Sequence, residues 1–144
     1  MKIKSIYLIG ALKNRKLIQL TNEIEKHGFE VFSEWLTPGP DADSFLLEYA
    51  KKRGWNYKKA LESYAAKQIF DFDVKHLNRC DAAIACAPFG KSAMLELGYT
   101  VGRGKPGFIY FDKEPKRFDV MLLFATGIFF NKKEMIKTLK SYRW

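Results

Sequence analysis

The sequence predicts an α/β fold built on a five-stranded parallel sheet, and three observations carry that prediction. Short β-branched, apolar runs alternate along the chain with amphipathic stretches of helical period. One of these runs, at 82–87, is apolar on both faces, as a central parallel strand requires. Strands separated by helices pair in parallel through right-handed crossovers.

Taken in order, the first strand is placed at 3–9 and ends at Gly10. Leu12, Leu17, Leu20 and Ile24 then recur at near-helical spacing, and His27-Gly28 stops that helix. A second strand follows at 29–32, and Thr37-Pro38-Gly39-Pro40 reads as a turn. A short helix at 41–53 ends at Gly54, and 56–79 reads as one long helix with Leu61, Tyr64, Ile69, Phe72 and Leu77 available for a buried side. This stretch is too long for a plain crossover, so 38–66 is expected to form a cap over the ligand crevice. Strand three spans 82–87, and a helix at 92–103 is closed by Gly104. Further strands are placed at 108–111 and 128–130, and Asn131 can cap a last helix at 132–142. Five strands suggest the flavodoxin-like order 2-1-3-4-5, a three-layer sandwich in one domain over 1–144. In such a sheet ligands bind beyond the carboxyl ends of the strands, near the switch between strands 1 and 3. That gathers Ile9, Gly10 and Ala11, the turn after Phe32, and the loop Pro88-Phe89-Gly90 around one crevice.

Composition narrows the function. A hydrophobic content of 47% in 144 residues favours a folded core over disorder. No apolar run approaches the roughly 20 residues that span a bilayer, so no membrane partner is expected. The N-terminal segment is basic with a short apolar run at 6–12 and no small-residue cleavage site. It reads as a first strand, and a cytoplasmic protein is expected. Cys80 and Cys86 lack a CxxC partner, and His27 and His76 lie far from them, so neither a metal nor another cofactor is expected. The net charge of +9 points to anionic partners, either a phosphorylated small molecule or nucleic acid. Its lysines are dispersed and no nucleic-acid motif accompanies them, which weighs against nucleic acid.

The chemistry concentrates after strand three. Gly90-Lys91-Ser92 at a helix start resembles a small anion cradle, although the GxxxxGK[ST] pattern is absent and a plain helix cap would look the same. Glu96 falls in the second turn of that helix, where the dipole favours its ionised form among small and apolar neighbours. A carboxylate partly stripped of water is how a nucleophile of this type is made; the alternative is a solvated helix residue. Asp71 and Asp73 face different sides of their own helix, and Asp73 could share the crevice with Glu96. Two carboxylates at a sugar-sized site suit glycosidic chemistry, while capping or surface ion pairing is the simpler explanation on sequence alone. Tyr7 could orient a catalytic carboxylate or simply fill the core. Trp35, Trp55 and Tyr57 could stack on a base or pack within the cap.

Ile6-Tyr7-Leu8-Ile9-Gly10, then Asp73 with Leu77-Asn78-Arg79-Cys80-Asp81, and then the run from Ser92 through Glu96 and Gly98 to Lys105-Pro106 resemble the nucleoside 2-deoxyribosyltransferase superfamily, which includes deoxynucleoside 5′-monophosphate N-glycosidases. The resemblance implies a flavodoxin-like fold and an enzyme that cleaves or transfers the N-glycosidic bond of 2′-deoxynucleosides or their 5′-monophosphates. It implies Glu96 as nucleophile on C1′, Asp73 in proton transfer at the departing base, and Tyr7 as the residue that orients the glutamate. The crevice residues Gly10, Ala11, Trp35, Pro88, Gly90, Lys91 and Ser92 would then bind substrate. Six positions before its glutamate the family carries an acid that holds sugar hydroxyls; here that residue is Gly90, and the basic loop suits a 5′-phosphate better. A non-catalytic nucleotide-binding module on the same fold is the alternative. Family members assemble with shared sites, so a homo-oligomer, a dimer or higher, is expected, with Tyr142-Arg143-Trp144 available to dock on a neighbour.

Overall fold

Five strands, β1 (Ser5–Gly10), β2 (Glu30–Ser33), β3 (Ala82–Cys86), β4 (Gly107–Tyr110) and β5 (Gly127–Phe129), pair in parallel in the order β2-β1-β3-β4-β5. The computed structural model describes residues 1–10, 15–33 and 41–144. The helices are α1 (Arg15–Lys26), α2 (Ala42–Lys52), α3 (Tyr57–Leu61), α4 (Tyr64–Arg79), α5 (Lys91–Gly102) and α6 (Lys132–Ser141), with a 3-10 turn at Val120–Phe124. This is the flavodoxin-like α/β arrangement the sequence predicts. Leu12 and the turn expected at 37–40 lie outside the described residues.

Strand alternation divides the core into two layers. Ile6, Leu8, Ile84, Cys86 and Phe108 face α1 and α6, where Leu17, Leu20, Ile24, Met135 and Leu139 close over them. Tyr7, Ile9, Ala83, Ala85 and Ile109 face the other way, toward Leu77 of α4 and Ala93 and Leu97 of α5. The second layer is built from small residues where α5 crosses the sheet. A Cβ on Gly107 would stand 2.6 Å from Val101 Cγ2 and 2.9 Å from Leu97 Cδ1. Glycine therefore lets α5 lie directly on β3 and β4.

Gly28, Gly54 and Gly104, with φ of +88°, +67° and +77°, end α1, α2 and α5 in the left-handed conformation that favours glycine. Several expectations need correcting. The helix read as continuous over 56–79 is two helices, because Ser63 turns out of the helix and its hydroxyl accepts from the Ala66 N–H to start α4. Leu61 and Tyr64, expected to be buried, are exposed; of that set Leu77 alone is fully buried. Helix α5 begins at Lys91 with Gly90 as its N-cap, so Ser92 lies inside the helix. The C-terminus is occupied within its own chain: Tyr142 meets Phe108 edge-on at 5.5 Å, Trp144 packs behind it, and the Trp144 N–H donates to Met1 O. Among the described residues, no helix is long and apolar enough to cross a membrane.

The junction between α4 and β3 carries the densest polar network. Asp81 Oδ2 accepts from the backbone N–H groups of Lys4 and Ser5, each at 2.9 Å, and from the Ser5 hydroxyl at 3.1 Å. Lys105 Nζ donates to the carbonyls of Asn78 at 2.5 Å and Cys80 at 2.7 Å, closing the C-terminus of α4. The Tyr99 hydroxyl donates to Asn78 Oδ1 at 3.0 Å, so α5 and α4 are tied directly. Burial pushes the Asp81 carboxyl up, but the bonds from Ser5 and Lys4, with the Lys105 charge, outweigh it and hold the group below the usual carboxylate range. A depressed folded pKa stabilises the protein above the unfolded value, near pH 4, and that stability is lost as pH falls through the folded value. Asp81→Ala is expected to cost about 2 kcal/mol at pH 7 and to flatten the loss of stability below about pH 4, as measured by urea unfolding at both pH values.

Candidate active site

The layer holding α4 and α5 opens into a cleft of about 710 Å³ bounded by α2, α3, α4 and α5, a volume suited to a small-molecule ligand. Three carboxylates line it: Asp43 from α2, Asp73 from α4 and Glu96 from α5. Ser92 lies one turn before Glu96 on the same side of α5, and the walls are apolar, with Leu46, Leu61, Ile69, Phe70 and Leu95.

Helix register explains the convergence. On α5, Ala93, Leu97 and Thr100 are buried against the sheet, which turns Ser92 and Glu96 toward the cleft. On α4, Asp73 precedes buried Leu77 by four residues and shares its side, while Asp71 is exposed. The result cuts Asp73 Oδ1 and Glu96 Oε2 off from solvent, although they come from helices separated by a strand. No group of His, Cys, Asp and Glu among the described residues could hold a metal ion.

The remaining predicted residues are distributed as follows. Tyr7 is 0% exposed, stacked on Phe32 at 5.4 Å, in the same buried cluster as Leu77, Ala93 and Leu97. It therefore sits beneath the two helices that carry Asp73 and Glu96. Gly10 is a packing position, since a Cβ there would stand 2.9 Å from Leu17 Cδ1. Pro88, after a cis Ala87–Pro88 bond, is exposed, as are Gly90 and Lys91 at the start of α5. Of the cradle Gly90-Lys91-Ser92, only Ser92 lines the cleft among the described residues. Ala11 and Trp35 lie outside the described residues. Tyr57 lines the cleft, whereas Trp55 is held beneath Arg53, whose guanidinium lies 5.1 Å from the ring centroid.

Sequence reasoning missed Asp43, which the period of α2 could have placed beside Leu46 and Leu47 on one helix side. A smaller cavity of about 200 Å³ between α1 and α6 is bridged by the Lys16–Asp112 ion pair at 2.5 Å and is too small for a nucleoside.

No family model matches this sequence, and no curated protein is similar to it in sequence. Solved structures share its fold. The 2-deoxyribosyltransferase from Bacillus psychrosaccharolyticus superposes with a TM-score of 0.59 at 16% identity, over 97% of this chain and 93% of that one. The CMP N-glycosidase BcmB of Clostridium botulinum superposes with a TM-score of 0.55 at 18% identity, over 94% of this chain and 98% of that one. The fold expected from the family resemblance is thus the fold observed.

Behind Asp73 on α4 stands His76, a residue the sequence reading set aside. Its ring lies flat on Phe32, with centroids 3.9 Å apart and 3° between planes, and Phe72 packs beside it at 4.6 Å. Burial lowers its pKa first, and the nearby Arg79 and Lys75 charges lower it further. The imidazole is therefore neutral at pH 7. Because the unfolded chain takes up this proton more readily, the contribution of His76 to stability falls as pH drops below the ordinary value near 6.5. An NMR titration of the folded protein is expected to give His76 a midpoint below 6.5; a midpoint at or above that value would contradict the packing argument.

Proposed function

We propose that this chain is an enzyme that cleaves or transfers the N-glycosidic bond of a 2′-deoxynucleoside or its 5′-monophosphate, with Glu96 as nucleophile and Asp73 as acid and base. The observation that carries this reading is the convergence of Asp73 and Glu96 in one cleft, each with a buried carboxylate oxygen. The fold shared with a deoxyribosyltransferase and a CMP N-glycosidase supports it.

In the reaction, a Glu96 oxygen forms a bond to C1′ as the C1′–N bond breaks and its electron pair leaves with the base. Asp73, in its protonated form, gives that base a proton. Water or an acceptor base then attacks C1′ and releases Glu96, and Asp73 takes back the proton the nucleophile loses. Glu96 is the first acid along α5, in its second turn, with none in the first. Tyr7, beneath both helices, acts as a positioning residue for the glutamate. Ser92, which lines the cleft one turn before Glu96, is the sugar-binding residue in this reading. The described lining holds three carboxylates and no lysine or arginine, which suits an uncharged deoxyribose better than a phosphate dianion.

Glu96→Gln is expected to fold like the parent and to lower release of free base by at least about a thousandfold, and Asp73→Asn by roughly 100-fold to 10,000-fold. Chromatography of a panel of deoxynucleosides and monophosphates, with and without an acceptor base, would show this, with higher kcat/KM on the unphosphorylated substrates. Mass spectrometry of the quenched enzyme should find a deoxyribosyl adduct on Glu96. Saturable binding with no base released by the parent protein would overturn the reading in favour of a binding module.

A further inference from the structure

We propose that the small cavity between α1 and α6 binds a phosphate group, at a site separate from the cleft. The chain carries a net charge of +9, yet the described lining of the cleft holds three carboxylates and no lysine or arginine. Cations stand instead around the cavity of about 200 Å³, whose polar lining is Lys16, Gln19, Tyr110, Asp112 and Lys132. None of its lining residues is shared with the cleft. Leu17, Leu20, Cys86 and Tyr110 place it in the α1 and α6 layer, on the other side of the sheet. Strand β3 ends at Cys86 and β4 at Tyr110, so the cavity lies at the carboxyl ends of two parallel strands, where such sheets bind ligands.

Tyr110 carries the argument from a basic hollow to a ligand site. It is 9% exposed, and its hydroxyl makes no hydrogen bond among the described residues. Buried polar groups in folded proteins are normally paired, so this hydroxyl at the cavity wall calls for a ligand oxygen. Burial first, and then the Asp112 charge, raise its pKa, so at neutral pH it keeps the proton it would donate. Lys132 makes no ion pair among the described residues and brings a full positive charge to the same wall. Asp112 accepts from Lys16 Nζ at 2.5 Å and so fixes that ammonium at the cavity. Two ammonium groups against one carboxylate leave the lining net positive. Size then selects the ligand. The volume falls below the roughly 300 Å³ at which pockets for larger ligands begin, so one phosphate group with its bound water fills it. Ammonium, phenol and amide donors on several sides match a tetrahedral dianion more fully than a planar carboxylate.

Isothermal titration calorimetry of the full chain with inorganic phosphate, at an ionic strength held constant with chloride, tests the site independently of any reaction at the cleft. The parent should bind phosphate saturably with a dissociation constant of about 1 mM or below, and acetate about tenfold more weakly. Lys132→Met and Tyr110→Phe should each weaken phosphate binding roughly tenfold, with circular dichroism unchanged. Lys91→Ala, at the start of α5, should leave it unaltered. Methyl phosphate separates the two sources of the group: affinity equal to that of the free ion supports a monoester as ligand, and exclusion supports free phosphate. No saturable binding by the parent, equal affinity for acetate, or an affinity that either cavity variant leaves unchanged would overturn the proposal. Loss of binding in Lys91→Ala would also overturn it, by moving the phosphate to the start of α5.

Discussion

The relation between α4 and α5 depends on the Lys105 ammonium at the end of α4. That helix ends on carbonyls with no partner inside the helix, and Lys105, from the turn before β4, supplies a donor to two of them. Asp81, one residue beyond Cys80, ties the same junction to the start of β1 through Ser5 and Lys4. A cation and an anion thus secure the end of α4 to two neighbouring strands, and Tyr99 adds a bond from α5 itself. Asp73 rides on the one helix and Glu96 on the other, so their separation is set by this junction and by the sheet beneath. The block from Asp73 to Pro106 therefore contains residues whose work is structural: Asp81, Tyr99 and Lys105 hold the helices that carry Asp73 and Glu96.

Close packing supplies the second constraint. Small residues on β3 and Gly107 on β4 bring α5 down onto the sheet, with Val101 and Leu97 filling the space a side chain at Gly107 would need. A larger residue there would lift the C-terminal half of α5 and tilt Glu96 away from α4. On the opposite layer Phe108 and Tyr110 meet α1 and α6. The cleft lies on the α4 and α5 side, where carboxylates from different helices share one space.

The sheet was legible because its signals are local. β3 is apolar throughout, and the glycines at 28, 54 and 104 end their helices by backbone conformation alone. The region between β2 and β3 was less legible, since an apolar period shows which residues share a helix side but not what that side meets. Leu61 follows the pattern of a buried face and instead forms part of the wall of an open cleft. Ser63 was equally ambiguous, because a serine within a helical pattern is either an interior residue or the cap of a new helix. The exposed 118–124 segment carried no periodic signal at all, as five residues of 3-10 turn are too few to establish one. For Glu96 spacing left a solvated residue and a cleft residue as equal readings, and for Asp73 it favoured capping or surface ion pairing; the packing of two successive helices brings both to one cleft.

Glycine at position 90 leaves the start of α5 without a side-chain cap. Gly90 caps α5 with no side chain bonded to the first turn, and that turn contains no acid. An aspartate or serine at the cap would accept from those N–H groups and absorb part of the dipole field at the helix start. Without one, Glu96 is the first carboxylate along α5, in a cleft whose apolar walls weaken screening by water. A weaker cap costs the helix some stability, about 1 kcal/mol or less. That cost leaves the first-turn N–H groups of α5 without an acceptor from the cap's own side chain, one turn before the cleft-lining Glu96.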